Sequence, residues 1–260
     1  MPFSFCVLAS GSSGNCIYVE SGATRLLVDA GLSCRETGRR LAAIGRSLDG
    51  IQAVCVTHDH SDHTSGLRTL HSRYGVRLYA NAGTCDVLGA DHALKPLPWT
   101  VFTTGSAFDV GDIHVEPFSV PHDAAEPVGF ILESGGARVG IVTDIGMPTH
   151  LVRERLRACR ALIMEANHDE RLLEQADRPW ALKQRIAGRQ GHLSNRAAAE
   201  MIAEIAGNGL THVFLAHLSS DCNRPELALE TVRGILRDRG HGAIEIKLTH
   251  PDRPGEMWSA

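Results

Sequence analysis

Residues 57–63 read THDHSDH and follow the apolar run AVCV at 53–56. Three of the chain's 14 histidines and two aspartates share those seven positions. A buried strand that ends here, ahead of a helix, sets the run in a loop at the strand's C-terminal end. His58 and His60, two apart, project the same way from an extended turn. Asp62 and His63 come from the next bend and the helix start, and face a neighbouring point. Neutral imidazole and carboxylate suit zinc, manganese or iron, and adjacent sets of them suit a two-metal site. A histidine-rich loop that merely caps a helix would account for single histidines. It does not account for four such groups in one HxHxDH frame.

Outward from this loop, strands alternate with helices. FSFCVLAS (3–10), NCIYVES (15–21), RLLVDA (25–30) and QAVCVT (52–57) read as strands divided by the turn signals GSSG and SGAT. CRETGRRLAAIG (34–45) and TSGLRTLHSRYG (64–75) read as helices, the second ending at Gly75. The second half repeats the rhythm, with strands HVEPFSVPH (114–122), VGFILES (128–134), ARVGIVTD (137–144), RALIMEA (160–166), HVFLAH (212–217) and AIEIKL (243–248). Between them lie the helical patterns THLVRERLRAC (149–159), SNRAAAEMIAEIAG (194–207) and RPELALETVRGILRDRG (224–240). Ser194 or Asn195 is the expected N-cap of the middle one, with Gly207 past its end. Two such halves suggest two sheets face to face with helices outside, an α/β fold of layered αββα type in a single domain over 1–260.

At 43% apolar and 22% charged residues, the 260-residue chain has the balance of a protein with a substantial core. Its net charge of −4 gives no global basic character, so a bound polyanion must rely on a local patch. The seven cysteines form no CxxC pair, which suggests reduced thiols rather than a disulfide framework. No stretch has the apolar length of a membrane span or signal peptide, so the expected location is the cytoplasm.

A dinuclear site needs more ligands than one loop supplies. The same signature, a polar ligand at the end of an apolar strand, recurs at His122, Asp144 and His217. A carboxylate such as Asp144 can bridge two cations about 3.5–4 Å apart. The set then divides into a His58–His60–His122 site and an Asp62–His63–His217 site, joined by Asp144.

That constellation resembles the metallo-β-lactamase superfamily, which implies the αββα four-layer sandwich with metals at the sheet edges. Within it, LASGSSGNCIYV (8–19), LLVDAGLSCRE (26–36), EANHD (165–169), RPWALKQRI (178–186), GHLSN (191–195) and LAHLSSDCN (215–223) resemble the bacterial YycJ/WalJ (VicX) family. The resemblance implies a 5′→3′ exonuclease without the β-CASP insert of ribonuclease J. The span between Asp144 and His217 is already filled by ordinary helices and a strand. Glu165 and His192 also resemble a glutamate and histidine that assist phosphodiester cleavage in tRNase Z.

The chemistry expected of such a site follows from charge. Two divalent metal ions, zinc or manganese with iron as the further option, would bind phosphoryl oxygens. They would also lower the pKa of bound water from about 15.7 to about 7. Asp62 joins the catalytic set from the metal loop. His192 as imidazolium, oriented by Glu165, would protonate the leaving alkoxide. Arg178, Lys183, Arg185 and Arg189 form a stretch without acidic residues that leads to His192. Lys183, Arg185, Ser194 and Asn195 are the expected substrate contacts, and Trp180 either stacks on a base or packs inward. The SGSSGN turn (10–15) offers backbone N–H groups to a terminal phosphate or simply supports the metal loop. Asn167, His168, Ser219 and Asn223 could line the cleft, and Cys222 reads as packing. Histidines 71, 92, 114, 150, 212, 241 and 250 lack matching partners and read as non-ligands. The expected activity is a metal-dependent nuclease acting on DNA rather than RNA. The alternatives are a hydrolase of small phosphodiesters or thioesters, and a regulatory protein that keeps the site only structurally.

Overall fold

The computed structural model of the chain describes residues 2–90, 96–207 and 209–260. His92 lies outside them. The first sheet contains β1 (Ser4–Ala9), β2 (Cys16–Ser21), β3 (Thr24–Val28), β4 (Ala53–Cys55), β5 (Arg77–Asn81) and β6 (Trp99–Phe102). The second contains β7 (Phe108–Val110), β8 (Ile113–Ser119), β9 (Val128–Ser134), β10 (Ala137–Val142), β11 (Ala161–Glu165), β12 (His212–Ala216) and β13 (Glu245–Leu248). A last strand, β14 (Trp258–Ser259), returns to the first sheet beside β1. The helices are α1 (Cys34–Ala43), α2 (Ser61–Thr64), α3 (Leu67–Tyr74), α4 (Ala82–Gly89), α5 (His150–Leu156), α6 (Glu170–Gln175), α7 (Trp180–Ile186), α8 (Asn195–Ile205) and α9 (Pro225–Asp238).

Each sheet is half antiparallel and half parallel. β1, β2 and β3 run antiparallel, and β3 to β6 run parallel. In the second sheet β7 to β10 are antiparallel and β10 to β13 parallel. Every residue of β1, β2, β4 and β11 is buried. A strand covered on both faces reads as a continuous apolar run rather than an alternation, as the stretches FCVLA, CIYV, AVC and ALIM of these four do. One apolar core lies between the sheets, where Phe5 of β1 meets Phe214 of β12 edge-on at 4.9 Å. The outer face of the first sheet packs Leu41 of α1 with Leu67 and Leu70 of α3. The outer face of the second carries α5, α8 and α9 through Val152, Ile202 and Val232. The expected αββα sandwich is the observed fold.

Local signals end and start the helices. Gly75 closes α3 in the left-handed conformation at φ 65°. Ser194, not Asn195, is the N-cap of α8, accepting from Ala197 N. Three short strands at the sheet edges, β6, β7 and β14, and the helices α4 and α6 have no counterpart in the pattern reading.

Parallel strands direct their C-terminal ends to one edge, and β8 shares the direction of β10 because each is antiparallel to β9. The segments after β4, β8, β10, β11 and β12 therefore open at one rim of the sandwich. There the turns before β2 and after β3 are stitched to the loop after β4. Asp62 O accepts from Asn15 N at 2.7 Å, and His63 O accepts from Ala30 N at 2.8 Å. A Cβ on Gly31 would stand 1.6 Å from Asp62 O. Gly31→Ala should therefore cost about 3 kcal/mol, because backbone rather than a flexible side chain must move. The expected drop in thermal midpoint is roughly 6–12 °C, read by calorimetry against the wild type.

Candidate metal centre

The loop after β4 delivers its four candidate ligands, His58, His60, Asp62 and His63, to two adjoining points. His58, His60 and His122 bring their ligand atoms within 4.8 Å of one another, and so do Asp62, His63 and His217. Asp144 lies between the sets. Its Oδ2 is 3.2 Å from His63 Nε2 and its Oδ1 3.8 Å from His122 Nε2. All seven expected ligands converge at the rim, from the ends of β4, β8, β10 and β12. His71, His114, His150, His212, His241 and His250 join no such cluster among the described residues.

Outer hydrogen bonds turn the rings so that Nε2 faces inward. His122 Nδ1 donates to Gly191 O at 3.1 Å, and His63 Nδ1 to Asp29 Oδ2 at 2.7 Å. Thr57 Oγ1 donates to Asp29, so His58 Nδ1 is the donor in its 3.0 Å contact with Thr57 Oγ1. His217 Nδ1 lies 3.0 Å from Glu165 Oε1. This arrangement fixes the tautomer and leaves Nε2 for a cation. The Nε2 atoms of His58, His122 and His217, and Asp144 Oδ2, are buried without a hydrogen-bond partner. Such orphans are costly unless something charged meets them. The donor set fits divalent metal ions.

The electrostatics agree. Burial favours the neutral form of Asp144, but His217 and His63 outweigh it and hold the carboxyl well below its usual range. Burial also pushes the His63 and His217 rings down. The nearby carboxylates win at both, led by Asp29 and Asp144 at His63, and lift His217 to about 10. His58, with burial and the neighbouring His63 both acting against its charge, falls well below its ordinary value. Asp62 is drawn low by His217 and His63 against the opposing effect of burial. The carboxylates of the pocket thus favour positive charge beside them.

Among the described residues, three that are not glycine have left-handed backbone, and all stand here: Asp29 (φ 61°), Asp144 (φ 55°) and His217 (φ 54°). Each follows a strand directly or by one residue, so the backbone bends sharply to turn the side chain into the rim. Ser10 Oγ accepts from His217 N at 2.7 Å, tying the first sheet to the bend in the second.

Asp29 is the residue the sequence reading missed. It orients His63 directly and His58 through Thr57, yet it was only the last polar letter of RLLVD. The strand-end signature that identified His122, Asp144 and His217 would have found it. Asn15, whose role was open, donates to Asp62 Oδ2 at 3.1 Å and lies 2.9 Å from His63 Nε2.

A cavity of about 350 Å³ opens over the set, with His192 in its wall. His192 Nδ1 is 2.7 Å from Glu165 Oε1, so its other nitrogen is left for the cavity. The carboxylate of Glu165 raises the imidazole above its ordinary pKa even though burial opposes it. Glu165 itself is fully buried, accepts from Ile145 N and Leu193 N at 3.0 Å, and is held down to about 2 by His192 against burial. It touches His192 and His217 and does not line the cavity, the geometry expected of a group that orients His192.

The expected substrate contacts need sharper correction. Ser194 is buried, caps α8 and donates to Glu170 Oε1 at 3.0 Å. Asn195 is buried in a reciprocal amide pair with Asn223 at 2.9 Å. Neither lines the cavity, because α8 starts by turning both side chains into protein. Lys183 Nζ bonds Glu174 O at 2.6 Å on another face of α7. Arg185 does reach the wall, together with Arg178. Trp180 is 67% exposed, so it does not pack inward. It lies two residues from the cavity-lining Leu182, about 200° around the helix, and points away. Ser12, Asn167 and Ser219 line the cavity, whereas His168 does not. In the SGSSGN turn the Gly11 and Gly14 amides are spent on Asn15 Oδ1 and Gly11 O, which fits support of the metal loop. Cys222 is buried.

A family model described as beta-lactamase superfamily domain matches residues 24–217. The chain is 36% identical over 263 residues to the exodeoxyribonuclease YycJ of Bacillus anthracis, covering 99% of each. It is 36% identical over 256 residues to the exodeoxyribonuclease WalJ of Streptococcus pneumoniae, covering 96% of this chain and 95% of the relative. Among solved structures, the metallo-beta-lactamase fold protein YhfI from Bacillus subtilis superposes with a TM-score of 0.75 at 15% identity, covering 100% of both chains. That last likeness speaks for the fold alone. No described helix is long and apolar enough to cross a membrane.

Asp29→Ala should weaken metal binding by about 10–100-fold, since two ligand rings lose their anchor. Competition with a chelating dye would measure it, and an affinity equal to the wild type would deny Asp29 this role.

Proposed function

The chain belongs to the beta-lactamase superfamily, and on that basis we propose that it is a metal-dependent phosphodiesterase, an exonuclease acting on DNA in the 5′→3′ direction that the resemblance implies. The observation that carries this reading is a seven-residue His/Asp cluster beneath one cavity whose wall also holds a carboxylate-anchored histidine and two arginines. The full-length identity to two exodeoxyribonucleases supports the substrate class.

His58, His60 and His122 would hold one divalent ion and Asp62, His63 and His217 another, with Asp144 shared; zinc, manganese and iron all suit these ligands. Bound there, the ions supply Lewis acidity and make water ionisable near neutral pH. Asp62, whose side chain is 22% exposed, faces the cavity and accepts a proton from the attacking water. The phosphorus–oxygen bond to the leaving nucleotide then breaks, and the alkoxide takes a proton from His192 Nε2. Glu165 holds the Nδ1 side of that ring and stabilises its charged form. Arg185 and Arg178 contact phosphates on either side of the cleaved one.

The deciding assay is a labelled duplex with a 5′-phosphate, incubated with manganese or zinc. Stepwise loss from the 5′ end is expected, and chelation should abolish it. Inert DNA beside rapid hydrolysis of bis-nitrophenyl phosphate would instead favour a small-diester hydrolase. His192→Ala should keep its metal and lose roughly 100-fold or more on DNA. A nitrophenolate leaves without protonation, so that substrate should suffer much less. Equal losses on both would reject the proton-donor role.

A further inference from the structure

Two arginines reach the cavity wall from the two ends of α7, Arg178 just before it and Arg185 in its last turn. Both are already engaged. Arg185 Nε donates to Asp123 Oδ2 at 2.5 Å, and Asp123 adjoins the ligand His122 in the chain. Arg178 donates to Asp221, in the loop that follows His217. The pairs thus cross the cavity mouth from α7 to the two ligand-bearing loops. Both face water, with side-chain exposures of 64% and 27% for Arg185 and Asp123, and 29% and 58% for Arg178 and Asp221. α7 buries none of its residues, so little else fixes this wall.

Exposed pairs of this kind contribute little net stability. A guanidinium fork grips a phosphate in the same bidentate way that it grips a carboxylate. We infer that Asp123 and Asp221 are built-in competitors of the substrate. Each occupies an arginine that a phosphate of the bound strand takes over, so the strand binds by exchange of partners at both ends of the cavity. The inference rests on the nucleic-acid reading of the site.

Exchange and simple positioning differ in sign. If the aspartates only hold the arginines in place, removing one loosens its arginine and weakens binding. If they compete, removing one frees the arginine and tightens binding. The salt dependence separates them further. A displaced aspartate takes up a cation from solution and offsets one released from the strand. Without the aspartate, the fall of affinity with salt should steepen by about 0.7 in the log–log slope for one phosphate on a single strand.

Asp221→Asn is the lead variant, because Asp221 stands outside the ligand set. The probe is a 5′-phosphorylated oligothymidylate with phosphorothioate linkages to slow cleavage, titrated by fluorescence anisotropy against the metal-loaded protein at several salt concentrations. Asp221→Asn should bind several-fold more tightly at low salt and with the steeper slope. Arg178→Gln should bind more weakly, and the double variant should lose the gain. Asp123→Asn should act as Asp221→Asn does, with metal content measured beside it because Asp123 Oδ1 is 3.4 Å from His122 Nε2. Binding by Asp221→Asn that is unchanged, or as weak as that of Arg178→Gln, overturns the inference alone. A wild type that binds no oligonucleotide overturns both it and the nucleic-acid reading beneath it.

Discussion

A fully buried carboxylate, Asp144, stands where two sets of imidazoles meet, and one of its oxygens lacks a hydrogen-bond partner. Burying a charge in this way is strongly unfavourable unless opposite charge sits beside it. The architecture of the rim follows from that requirement. Histidines arrive from both sheets, and the strands that carry them are parallel or run in the same direction, so their ends meet. The left-handed bends at Asp29, Asp144 and His217 cost on the order of 1–3 kcal/mol each. They persist because the apolar layer between the sheets and the helix-covered outer faces hold the strand ends in place.

Around the ligands, a second circle of hydrogen bonds divides the work between two carboxylates. Asp29 serves the first sheet, fixing His63 directly and His58 through Thr57. Glu165 serves the second, touching His217 and His192 with the same oxygen. The orientation of a candidate metal ligand and that of the proposed proton donor therefore depend on one buried group. Its other oxygen is fixed by two backbone amides, which gives it little freedom to favour one histidine over the other. At the mouth the logic reverses. The charges there are exposed, so their pairings contribute little, and the helix that follows Arg178 and carries Arg185 buries none of its residues.

The layers, and which seven side chains gather at the rim, were legible in the residues alone. His58, His60, Asp62 and His63 are local to one turn, and His122, Asp144 and His217 each end an apolar run. A strand buried on both faces must be apolar, so the first polar residue after it marks the rim. The tertiary structure alone decided what the remaining polar residues do. Ser194 and Asn195 lie beside His192 in the chain yet turn inward at the start of α8. Arg185 and Arg178 meet aspartates far from them in sequence, and Trp180 falls on the side of α7 away from the cavity. The edge strands β6, β7 and β14 are short and each is partly exposed, so no continuous apolar run betrays them. Burial against the core leaves a mark in the residues themselves. A partner brought in by another loop leaves none, because either surface residue would read the same without it.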